Sequence, residues 1–146
     1  MTYYRHILAA VDFSGATSSV ASRAVEESRM HSSRLTFLHV TEYYPEDVPP
    51  GLVPAEHLDP TEVYLERSRE HLGRLAADLG AWGSDQVAVA TNGAAYHEIV
   101  GHAKAHGVDL IVMGYAGRWV TDALGSTAMA VTRHVVCDVL LVRPTR

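Results

Sequence analysis

The sequence predicts an α/β fold: an open five-stranded parallel sheet with helices on both faces. Two observations predict it. Short, almost wholly apolar runs alternate with stretches of helical period, giving the order β-α-β-α-β-α-β-α-β along 146 residues. The runs His6–Val11 and Leu110–Met113 are apolar at nearly every position. That is the signature of strands covered on both faces rather than of half-exposed antiparallel ones.

The elements follow in order. His6–Val11 is the first strand, turned by Asp12-Phe13-Ser14-Gly15 into a helix over Ala16–Met30 whose Val20, Ala21, Ala24 and Val25 share one face. Leu35–Val40 is the second strand. Thr41–Pro60 is irregular, with several prolines and the acids Glu42, Glu46 and Asp47, a length that suits a lid over a site. Asp59 is placed to cap the next helix, Pro60 to open it and Glu62 to complete a capping box. Leu65, Leu72, Leu75, Ala76 and Leu79 give its buried stripe and Gly80 its end. Gln86–Thr91 is the third strand, Tyr96–His106 a helix stopped by Gly107, Asp109–Met113 the fourth strand, Ser126–Val135 the last helix and Val139–Val142 the last strand.

Composition bounds the function. The length suits one domain with a real core. Apolar residues make up 47% and charged residues 20%, the balance of a globular protein. A net charge of −5 argues against nucleic acid as a partner, since a phosphate backbone needs a basic face. The single cysteine, Cys137, excludes a disulfide framework and fits a reducing cytoplasm. Met1–His6 lacks the apolar run of a signal peptide, and the longest apolar run, Val135–Val142, is broken by Asp138, so neither secretion nor a membrane span is expected.

The most informative stretch is Leu110-Ile111-Val112-Met113-Gly114-Tyr115-Ala116-Gly117, followed by Gly125-Ser126-Thr127 at the mouth of a helix. An apolar strand runs into a glycine turn, and a second glycine opens a helix with hydroxyl residues. Bare backbone and free helix-start N–H groups suit a phosphate. Asp12 ends the first strand as Gly114 ends the fourth. Were those strands neighbours, both residues would face one crevice at the carboxyl edge of the sheet, where such folds collect ligands. Asp12 then suits a ribose hydroxyl or a magnesium-bound water. Each piece also has a plainer reading, Asp12 as a helix cap and Gly114 with Gly117 as a tight turn.

The blocks HILAAVD, LTFLHV, GVDLIVMGYAG, GSTA and CDVLLVRP, in this order across the whole chain, resemble the universal stress protein family. The resemblance implies a Rossmann-like α/β fold with strand order 3-2-1-4-5, which makes strands one and four neighbours. It also implies an ATP or other adenine-nucleotide site: Asp12 and the Val40 backbone at adenine and ribose, Gly114 and Gly117 around the ribose and first phosphate, and Gly125, Ser126 and Thr127 at the outer phosphates, with magnesium as an accompanying ion. The family pattern places nine residues between the second and third glycines, whereas seven separate Gly117 from Gly125 here. A loop shorter by two residues would move Arg118 and Trp119 relative to the crevice. It also keeps open the alternative of a dimeric interaction protein that binds no nucleotide.

The resemblance further implies a homodimer paired through Val139–Arg143, an apolar edge strand that needs covering. Catalysis is not expected beyond slow ATP hydrolysis. A Walker-type loop is excluded, because the one lysine, Lys104, lies on a helix away from the glycine turns. His39 reads as a packed histidine more readily than as a strand-end base. His102 and His106 share a helix face, with His97 a turn earlier, which reads as a solvated helix end more readily than as half a metal site. Cys137 reads as a small packed residue.

Overall fold

The computed structural model describes residues 3–42, 59–116 and 123–143. Its elements are β1 (His6–Ala10), α1 (Thr17–His31), β2 (Arg34–Glu42), α2 (Pro60–Asp78), β3 (Asp85–Thr91), α3 (Ala95–Ala105), β4 (Leu110–Gly114), α4 (Ser126–His134) and β5 (Asp138–Val142). The strands form one five-stranded sheet in the order β3-β2-β1-β4-β5. Every pairing is parallel, with Ile7 beside both Leu35 and Leu110, and Ala10 beside both Leu38 and Met113. The expected α/β class and strand order are therefore the observed ones.

The central strands β1 and β4 are apolar at nearly every position because each face carries its own core. Ile7, Ala9, Leu35, Phe37, Leu110 and Val112 point to the side covered by α1 and α2, where they meet Val20, Ala21, Leu72 and Ala76. Leu8, Leu38, Ile111 and Met113 point the other way, onto Ile99, Ala103, Ala128 and Val131 of α3 and α4. Two-residue alternation thus feeds two half-cores from one strand. Phe37, Leu8, Ile111 and Leu72 are fully buried, and truncating such a side chain to alanine generally costs about 2–5 kcal/mol.

Helix ends explain most boundaries. The Asp59 carboxylate accepts from the Thr61 N–H at 2.9 Å, with Pro60 opening α2. Glu62 lies 3.6 Å from Arg69, so it turns along the helix towards its neighbours. Gly80 and Gly107 end α2 and α3 with φ of 70° and 65°, where a glycine avoids strain. Ser32 does the same for α1 at φ 53°, without a glycine to announce it. β2 runs two residues past the expected Val40, to Glu42, because Thr41 and Glu42 keep pairing with Ala90 and Thr91 of β3. Most of the expected lid, residues 43–58, and the tip of the second glycine loop, 117–122, lie outside the described residues. Among the described residues no helix is long and apolar enough to cross a membrane.

Candidate functional site

Adjacent parallel strands whose crossovers leave to opposite faces part at their carboxyl ends and leave a crevice there. Here β1 leads into α1 on one face and β4 into α4 on the other. Between them opens a cleft of about 700 Å³. Its wall includes Asp12, Val40, Gly114, Gly125, Ser126 and Thr127, six of the seven residues singled out from the sequence. The seventh, Gly117, lies outside the described residues, as do Arg118 and Trp119.

Each of these residues is placed by its local chemistry. Asp12 does not cap α1: the helix begins at Thr17, behind an Ala16 that supplies no side-chain cap. The Asp12 carboxylate instead accepts from the Ser14 N–H at 3.0 Å, turning the chain out of β1. Gly114 sits where the chain leaves little room for a side chain. A Cβ there would sit 3.2 Å from the Ala116 carbonyl oxygen and 3.6 Å from the Ala16 Cβ. The close approach at this turn is therefore made by the chain against itself, and a side chain at Gly114 would have to be taken up by a shift of a few tenths of an ångström at Ala116. Gly125 precedes α4 in extended backbone (φ −61°, ψ 149°) and contributes no capping side chain. Among the described residues the start of α4 at the crevice has no side-chain cap, the arrangement that suits an anion.

Tyr115 ties the two ends of the glycine loop. Its carbonyl accepts from the Gly125 N–H at 2.9 Å and its own N–H donates to the Val142 carbonyl at 2.9 Å. The Arg143 guanidinium covers its ring at 3.9 Å. The foot of the loop is therefore held to β5 as well as to β4.

The crevice is also lined by Tyr64, Thr41, Glu42, Ala95 and Ile99, none of them among the seven candidate site residues. Glu42 accepts from the Ala95 N–H at 2.9 Å, so a strand-end carboxylate caps α3 from 53 positions away. Nothing local in the sequence announces that contact. It becomes predictable only once β2 is known to reach Glu42.

His39 is the packed histidine expected. It is 6% exposed. Its Nδ1 lies 2.9 Å from the Val11 carbonyl. That oxygen can only accept, so Nδ1 carries the proton, and Nε2 accepts from the Thr41 hydroxyl at 3.1 Å. Burial holds its pKa below the ordinary imidazole value, against the opposing pull of the Val11 carbonyl and Asp12. The ring is a neutral, oriented part of the crevice wall. The His102 and His106 rings meet at 4.1 Å, and among the described residues no group of three or more His, Cys, Asp or Glu side chains is placed to hold a metal. Burial raises the Cys137 thiol pKa, which suits a packed residue and a poor nucleophile.

Comparison with known proteins places this arrangement. The model of the universal stress protein family matches residues 3–143. The chain is 33% identical over 146 residues to universal stress protein A homolog 1 of Coxiella burnetii, with 96% of each chain covered. Among solved structures it superposes on the universal stress protein UspA of Lactobacillus plantarum with a TM-score of 0.71 and 26% identity, covering 98% of this chain and all of that one (100%). A universal stress protein solved in complex with cAMP aligns with a TM-score of 0.64 and 24% identity, covering 99% and 100% of the two chains. The chain belongs to the universal stress protein family.

Proposed function

We propose that this protein binds an adenine nucleotide, with ATP the preferred form, in the crevice between β1 and β4, and that the nucleotide acts as a regulatory ligand in a cytoplasmic stress response. The observation that carries the reading is the uncapped start of α4 at Gly125–Thr127, which shares one cleft with the Asp12 carboxylate. Helix-start N–H groups stabilise phosphate charge, and a carboxylate opposite them suits ribose hydroxyls. A structural neighbour of the family solved with cAMP supports an adenine nucleotide as the ligand class. Magnesium would arrive with the triphosphate, held by phosphate oxygens and waters, with Asp12 as a carboxylate of the crevice wall beside it.

The test is direct. Purified protein is denatured and the supernatant is chromatographed for adenine nucleotides; the stripped protein is then titrated calorimetrically with ATP, cAMP and GTP. ATP heat that exceeds GTP heat supports the reading. Absence of both co-purified nucleotide and heat overturns it, and leaves the reading of a nucleotide-free interaction protein.

The same reading includes a homodimer paired through Val139–Arg143. β5 is a sheet edge whose residues Val139–Val142 are only half-buried, and an apolar edge needs a cover. Light scattering after size exclusion is expected to give twice the 15.9 kDa chain mass, and a monomer mass at micromolar concentration rules the pairing out.

A further inference from the structure

Phe13 packs against the edge of the α1–α2 core, but that packing does not account for its backbone conformation. It directly follows Asp12, and its φ of 58° lies in the left-handed region, which strains a bulky side chain. Its ring lies 4.0 Å from the His71 ring at an interplanar angle of 7°. The His39 ring lies 4.2 Å from it at 33°. Two imidazoles this close to one phenyl cannot occupy the same face, so Phe13 is held between them.

The two outer rings have different anchors. His39 is buried and fixed at both nitrogens, to Val11 and Thr41. His71 is exposed, but it stands beside Leu72, which fixes α2 in the core. Held in this way, Phe13 keeps the left-handed turn that brings the Ser14 N–H back onto the Asp12 carboxylate at 3.0 Å. The turn sets the direction of the carboxylate that lines the crevice.

We infer that Phe13 and His71 are positioning residues for Asp12: the His39–Phe13–His71 stack locks the Asp12–Ser14 turn, so that α2, which supplies His71, holds the ribose side of the nucleotide site. The effect on ligand affinity rests on the nucleotide-binding reading above; the lock on the turn does not.

The experiment separates the two. Exchange of the Ser14 amide with solvent is followed by NMR without ligand, and ATP affinity by calorimetry, in wild type, His71→Ala, His71→Phe and Phe13→Gly. His71→Ala is expected to raise Ser14 exchange at least threefold and to weaken ATP at least threefold, with the melting temperature little changed because His71 is exposed. His71→Phe keeps a flat ring and is expected to restore both. Phe13→Gly relieves the backbone strain but removes the ring, and is expected to loosen Ser14 as His71→Ala does. Unchanged Ser14 exchange in His71→Ala, or failure of a folded His71→Phe to restore it, overturns the inference. If wild type binds no ATP, the nucleotide reading falls and Ser14 exchange alone decides the lock.

Discussion

Replacing Ser126 by aspartate adds one negative charge at the first residue of α4, where the phosphates of a bound nucleotide would lie. The change separates binding from folding because the two respond in opposite directions. α4 has no acidic residue in its first turn and no side-chain cap. An aspartate there complements the helix dipole and is expected to stabilise the helix by about 0.3–1 kcal/mol. Against a phosphate at roughly 5 Å, the same charge is repelled by about 3 kcal/mol at an effective dielectric of ~20 and by under ~1 kcal/mol in bulk water. Ser126 is exposed, so the screened half of that range applies, and ATP affinity should fall about five- to thirtyfold. Calorimetry at low and high salt, paired with thermal melts, is the assay. The loss should shrink as salt rises, and the melting temperature should hold or increase. Wild-type affinity in a folded Ser126→Asp protein would refute the placement of phosphate at α4.

The remaining predictions concern the wall of the crevice. Gly114→Ala should destabilise the protein by about 1–3 kcal/mol in denaturant titration, as overpacked sites do, because its Cβ meets the Ala116 carbonyl at 3.2 Å; an unchanged midpoint would show that the turn has room. His39 is held neutral by burial in the folded state, while the unfolded chain takes up a proton near pH 6.5. Stability from this group is therefore present above about pH 6.5 and lost as pH falls through the depressed folded value. The urea midpoint should drop between pH 7.5 and pH 5, and His39→Gln should lessen that drop; an identical slope in the variant contradicts the assignment. Part of the acid loss remains in the variant through His102, whose pKa is lowered first by burial and then by His106, His6 and Arg34.

Much of the fold was legible because its signals are local. Continuous apolar runs identify strands covered on both faces, and Asp59-Pro60, Gly80 and Gly107 mark helix ends by backbone chemistry that any context would show. The position of six of the seven candidate residues on the crevice wall was legible for the same reason: glycines and hydroxyls at strand ends and a helix start announce exposed backbone. What was not legible depends on distant pairing. Ser32 ends α1 in a left-handed conformation that a glycine-based reading misses, and Glu42 extends β2 only because β3 pairs beside it. Asp12 illustrates the limit most clearly. Its sequence position suits a helix cap, yet its partner is Ser14, because the stacked Phe13 turns the chain before α1 begins.

The tie at Tyr115 changes the meaning of a residue count. With Tyr115 fixed to Val142 and Gly125 fixed to Tyr115, the segment between them is a closed excursion with both feet bolted to the sheet. Adding or removing two residues from such an excursion alters its closure entropy by only a few tenths of a kcal/mol. The N–H groups of α4 keep their position opposite Asp12 whatever the excursion's length. A change in the number of residues between these two ties therefore leaves the start of α4 in register with the carboxyl edge of the sheet.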